Sequence, residues 1–183
     1  MSDLTDDRPQ RYDLGLLFTD GLPELRDGEG YRGAVAARVA GITYRQLDYW
    51  DRSGLVSPSV RGAAGSGSQR LYGFRDILTL KLVAGLLEAG VSLQQVRVAI
   101  EQLRLAGIQD LTQITLMSDG ASVYLCTSTD EVIDLVHRGQ GVFGIAVGPV
   151  LREVESSLVD IDAIKGDEPV DELAKRRAAR AAS

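Results

Sequence analysis

Apolar positions recur at helical spacing through the middle of the chain and at strand-like spacing further on. Residues 33–40 form a short Ala- and Val-rich run, after which Gly41-Ile42 turns the chain. Thr43 opens a second helix with complete start signals. Thr43 and Gln46 stand in the capping-box relation, each side chain satisfying a backbone N–H left orphaned by the first turn, and Ile42 and Leu47 occupy the staple positions around the cap. Gly54 suits the left-handed turn that ends this helix. Two helices joined by about three residues predict a helix-turn-helix. Two β-prone segments, 55–60 and 69–72, flank a Gly/Ser-rich loop at 61–68. They are expected to form a hairpin, in this position a wing, in preference to an interdomain linker.

Two further helices follow. Ile77, Leu80, Ala84 and Leu87 line one face of the first, which Gly90 ends. Ser92 and Gln95 make a second capping box with Val91 and Val96 as its staple. Leu93, Val96, Ile100 and Leu103 continue as a stripe closed by Gly107. The pattern then changes. Segments 112–118 and 121–127 flank Asp119-Gly120, a favoured hairpin turn. Ser128 and Glu131 cap a helix to about Arg138, 142–147 reads as a buried strand, and Gly148-Pro149 opens a last helix with Leu151, Val154 and Leu158 inward. The expected fold is mostly α with small β: a winged helix-turn-helix at 31–106, followed by a small α+β domain of order ββαβα at 109–160. Residues 1–30, apart from an apolar cluster at 14–18, are expected to be a disordered acidic arm, and 161–183 a disordered tail.

Charge sharpens this division. The 183 residues carry a net charge of -6, but 1–30 are net -5, 31–106 net +5 and 107–183 net -6. A basic middle within an acidic chain is the electrostatic footprint of a nucleic-acid module. Composition excludes much else. The single cysteine, Cys126, permits no internal disulfide, and the single histidine, His137, leaves too few soft ligands for a zinc or copper site within one chain. No metal, cofactor or catalytic constellation is expected, and the protein is not expected to be an enzyme. Gly139, Gly141, Gly144 and Gly148 lack the Lys-Ser/Thr of a phosphate loop and the dinucleotide spacing. An acidic, polar start and the lack of any apolar run near the roughly 20 residues of a membrane span point to the cytoplasm, with no membrane partner.

A helix-turn-helix sets its second helix in the major groove, with residues near its N-terminus at the base edges. Here those are Thr43, Tyr44 and Arg45, and Arg45 offers a two-pronged donor to guanine O6 and N7. Tyr49, one turn on, is equally suited to phosphate contact or to packing, while Trp50 is expected in the core. Arg52 follows on a neighbouring face. Arg61 and Arg70 flank the wing within reach of the minor groove or its phosphates, and Tyr72 either braces the wing or touches phosphate. In the C-terminal unit Tyr124 and Phe143 are candidates to line an apolar effector site, although core or dimer interface is the favoured role for its apolar residues. Cys126 is expected to be a half-buried strand residue.

Residues 42–56, Ile-Thr-Tyr-Arg-Gln-Leu-Asp-Tyr-Trp-Asp-Arg-Ser-Gly-Leu-Val, resemble the recognition segment of the MerR family of bacterial transcription regulators. Gln69-Arg70-Leu71-Tyr72 is similar to that family's wing ending, and Gly90-Val91-Ser92-Leu93 to its link between the next two helices. An actinobacterial subgroup with a small α+β C-terminal domain is similar further, through Ser118-Asp119-Gly120 and 139–147. The resemblance implies a homodimer on double-stranded, near-palindromic promoter DNA, distorting it so that RNA polymerase engages both promoter elements. It places Arg45, Tyr49, Arg70 and Tyr72 at family positions that contact DNA. Two departures stand out. Asp48 occupies a position where many members carry Arg, so it is expected to orient Arg45 or Arg52 instead. The long dimerisation helix has no room before Gly107 and the hairpin after it. A single cysteine also excludes the family's metal- and redox-sensing roles. The expected function is sequence-specific transcriptional regulation. The alternatives are an effector-independent architectural DNA-binding protein and an adaptor that binds RNA polymerase.

Overall fold

The structure, a computed structural model, describes residues 28–62, 69–105, 113–139, 141 and 143–165. The expected arm up to residue 27, the wing tip at 63–68, Gly107 and the tail from 166 lie outside the described residues. Strand β1 (Glu29–Arg32) runs directly into helix α1 (Gly33–Ala40). That helix ends at Gly41, whose φ of 74° is the left-handed conformation that glycine adopts without a Cβ clash. Helix α2 (Tyr44–Arg52) follows with the expected cap: the Gln46 amide donates to Thr43 Oγ1 at 3.2 Å, and the Thr43 amide donates to Gln46 Oε1 at 2.9 Å. Inward-facing Leu47 and Trp50 anchor α2 in the core.

After α2 come strand β2 (Leu71–Tyr72), α3 (Phe74–Glu88) and α4 (Leu93–Leu105). Ile77, Leu78, Leu80, Leu82, Val83 and Leu86 are all buried, so α3 is covered on more than one side rather than along a single stripe. The remaining elements are β3 (Thr115–Ser118), β4 (Val123–Cys126), α5 (Thr129–His137), β5 (Phe143–Ala146), α6 (Val147–Leu158) and β6 (Ile164–Lys165). Strands β4, β3 and β5 form an antiparallel sheet in that order. Val147, Leu151, Val154 and Leu158 of α6 join the buried cluster of α1 and α3, and Lys81 of α3 bonds both the Val39 carbonyl at 3.2 Å and Glu153 at 2.9 Å. The core therefore runs on past the boundary expected near 106–109.

Three local expectations are corrected. Glu29 and Gly30, assigned to the arm, pair with Lys165 and Ile164, assigned to the tail. The main partner of β2 is β1, through Tyr31↔Tyr72 and Arg32↔Leu71, and not the segment after α2. Among the described residues that segment contributes one bridge to the wing, Arg61↔Leu71, because Leu55 and Val56 are spent in the core at 2% and 1% exposure.

Candidate nucleic-acid interface

The burial of Leu47 and Trp50 turns the opposite face of α2 outward. Arg45 and Arg52 lie seven residues apart, about two helical turns, so they share one stripe, with Asp48 and Tyr49 between them. Arg52 is thus on the face of Arg45 rather than on a neighbouring one. Thr43, Tyr44, Arg45, Tyr49 and Arg52 are all exposed, Tyr44 and Tyr49 by more than half. The Thr43 hydroxyl is committed to the cap. At the wing edge, Arg61 Nη2 donates to the Lys165 carbonyl at 3.4 Å.

Charge along the stripe is arranged around Asp48. Its Oδ2 meets Arg52 Nε at 3.0 Å, and its Oδ1 meets Arg70 Nη2 at 2.9 Å. Arg70 Nε also meets Asp51 Oδ2 at 3.1 Å. The Arg70 side chain is only 17% exposed, so this guanidinium joins the base of the wing to α2 and does not project toward a ligand. Burial alone would lower its pKa, but its bond to Asp48, the Tyr72 hydroxyl beside it and the charge of Asp51 raise it. Tyr72 is fully buried. Its hydroxyl sits beside Arg70 without a well-aligned hydrogen bond, and burial, with the nearby Asp51, pushes its pKa up to about 12. Arg70, expected to reach the minor groove or its phosphates, is engaged within the chain instead, and Tyr72 takes the bracing role that was one of its two expected alternatives. Asp51 was missed by sequence reasoning. Its signal was the spacing of three from Asp48, which sets both carboxylates toward the same neighbour.

The two effector candidates do not come together. Tyr124 pairs across the sheet with Met117, and Phe143 with Ser118, the next residue along β3. Successive strand residues point to opposite faces, so Tyr124 and Phe143 cannot line one cavity. The Tyr124 hydroxyl donates to Asp119 Oδ2 at 2.9 Å, and Asp119 Oδ1 accepts from the Ala121 and Ser122 amides at 2.9 and 2.6 Å. Those bonds lower the Asp119 pKa and fix the hairpin turn. Cys126 is buried at 2% exposure rather than half-buried, and burial raises its thiol pKa.

The sequence profile described as "MerR HTH family regulatory protein" matches residues 31–103. An uncharacterized HTH-type transcriptional regulator of Mycobacterium tuberculosis (strain H37Rv) is 54% identical over 169 residues, covering 89% of this chain and 74% of that protein. The chain belongs to the MerR family. More distant relatives include the HTH-type transcriptional regulator HmrR of Sinorhizobium medicae, 29% identical over 43% of this chain and 67% of that protein. Heavy metal-dependent transcription regulator 1 of Rhizobium meliloti is 32% identical over 36% of this chain and 42% of that protein. As a MerR-type protein the chain is a transcriptional regulator and not an enzyme, and its family implies DNA binding. Among the described residues, no helix is long and apolar enough to cross a membrane. Within this MerR-type helix Asp48 orients Arg52 as expected, and it holds Arg70 where Arg45 was the alternative.

Proposed function

We propose that the protein binds promoter DNA sequence-specifically as a homodimer and distorts it for RNA polymerase. The observation that carries this reading is the outward stripe of α2: Arg45, Tyr49 and Arg52, with Tyr44 beside them, on a capped helix whose other face is locked by Leu47 and Trp50. A rigid helix presenting guanidinium and phenol groups matches the chemistry of a groove edged by phosphates and acceptor-rich guanines. Arg45 reads bases, Tyr44, Tyr49 and Arg52 meet the backbone, and Arg61 extends the contact along the wing. Bending and untwisting the duplex costs several kcal/mol, by elastic estimates ~1–6, which the added backbone contacts of two subunits offset.

The β3–α6 region, a ββαβα unit, serves as the dimerisation part. Helix α5 has no buried residue and exposes Ile133 and Val136, with Phe143 exposed on β5. Asp130 and Glu131 stand at its start and His137 and Arg138 at its end, so two copies packed antiparallel would set acidic against basic ends around an apolar middle. Selection from a random duplex library with the purified full-length chain, followed by footprinting of the winners, tests the reading. A two-fold related motif with discrete protected half-sites supports it. Footprints that grow along any sequence would show an architectural coat, and no DNA retention would leave the polymerase adaptor.

A further inference from the structure

Asp48 is a carboxylate on the very stripe that faces DNA under the proposed function, between two arginines. A bare anion there would repel phosphate and weaken binding. Its two oxygens are used differently, however. Oδ1 is held by Arg70, whose side chain is 17% exposed and is also fixed by Asp51. Oδ2 is held by Arg52, whose side chain is 75% exposed. The Arg70 bond belongs to the frame joining wing and helix. The Arg52 bond is a solvent-facing pair one turn apart along a helix, of the kind that stabilises little and exchanges readily. When Arg52 leaves, Asp48 keeps Arg70 and is not orphaned, so the exchange leaves no buried charge unpaired.

We infer that Asp48 is a specificity-determining residue: it withholds Arg52 from DNA in general and yields it where a phosphate is brought into register. This rests on the DNA-binding reading above. Non-specific binding is driven by the number of phosphates that basic groups neutralise, whatever the sequence. With Arg52 paired to Asp48, Arg45 is the guanidinium of the stripe without an ion-pair partner among the described residues, and it meets a loosely docked duplex first. On the correct site the base contacts of Arg45 fix the helix against the groove. The same phosphate then sits opposite Arg52 throughout the bound lifetime and displaces the carboxylate. The pair thus lowers affinity for bulk DNA more than affinity for the operator.

The test compares wild type, Asp48→Asn, Arg52→Gln and the double variant on the selected operator and on a random-sequence duplex, each over a salt series. Asp48→Asn keeps the side-chain shape and leaves Arg70 its bond to Asp51, and equal thermal midpoints establish that the fold is retained. Asp48→Asn should bind the random duplex about threefold to tenfold more tightly, with the log–log salt slope steeper by about one contact. The operator should gain less, so the specificity ratio falls. Most of the gain should vanish in the Arg52→Gln background, because the two residues act as a pair. The inference is overturned if Asp48→Asn leaves random-duplex affinity and slope unchanged. It is equally overturned if the gain persists undiminished without Arg52, which would make Asp48 a simple repulsive charge. A wild type that binds neither duplex overturns the DNA-binding reading itself, and the Asp48 role with it.

Discussion

Helices α2 and α5 are each nine residues long and begin in the same way, with a hydroxyl side chain accepting from the third residue's amide, Thr43 from Gln46 and Ser128 from Glu131. Their surroundings diverge. Helix α2 buries Leu47 and Trp50 and exposes arginine, tyrosine and aspartate, whereas α5 buries no residue and leaves Ile133 and Val136 about half exposed. A cap decides where a helix starts, and the neighbours it packs on decide what surface it offers. A charged, anchored helix suits a solvated polyanion. Exposed isoleucine and valine on a helix that buries none of its residues suit another protein surface.

Five variants test this contrast. Trp50→Ala should have the largest effect, about 3–5 kcal/mol lost in urea unfolding, because a buried indole leaves a cavity that cannot fully collapse. Arg70→Ala should cost about 1–3 kcal/mol, since Asp48 and Asp51 are left poorly exposed and partly unpaired. Arg70→Lys should recover only part, as one ammonium cannot span both carboxylates as a planar fork does. A third effect appears in alkali. The folded-state pKa of Tyr72 is raised from 10.0 to about 12. Its contribution is therefore intact below pH 10 and is lost as the pH rises through about 12. Wild type should lose stability over that window by equilibrium denaturation, and Tyr72→Phe should lose less. Ile133→Glu should have the smallest effect on stability, within about 0.5 kcal/mol as for an ordinary surface change, while sedimentation shows dimer shifting toward monomer. A loss comparable to that of Trp50→Ala would mean that Ile133 packs in its own chain.

What could be read from the sequence was local. The Thr43–Gln46 box, the Gly41 and Gly54 turns and the inward Leu47 and Trp50 each depend on residues within about one helical turn, so their pattern survives in one dimension. Outward Tyr44 and Arg45 followed from the same periodicity, whereas Arg52 was set on a neighbouring face and Tyr49 was left open between packing and phosphate contact, and the structure exposes both. Arg70 was misplaced for the opposite reason. Whether an arginine at a strand edge faces solvent depends on carboxylates 22 and 19 residues earlier that only the fold brings beside it. Strands β1 and β6 went unread because four and two residues carry too little alternation, and their pairing with each other joins opposite ends of the described chain. Tyr124 and Phe143 were candidates for one lining between hairpin and helices, with core or interface the favoured role, but strand register, which the sequence leaves open, put them on opposite faces.

The central claim is that the exposed stripe of α2 reads DNA. Its most direct test is the affinity of wild type and Arg45→Ala for the selected operator and for a scrambled duplex at one salt concentration. Wild type should prefer the operator by about a thousandfold or more. Arg45→Ala should lose about 1–3 kcal/mol on the operator and much less on the scrambled duplex, with unchanged stability. Equal losses on both duplexes, or none on either, would contradict the claim.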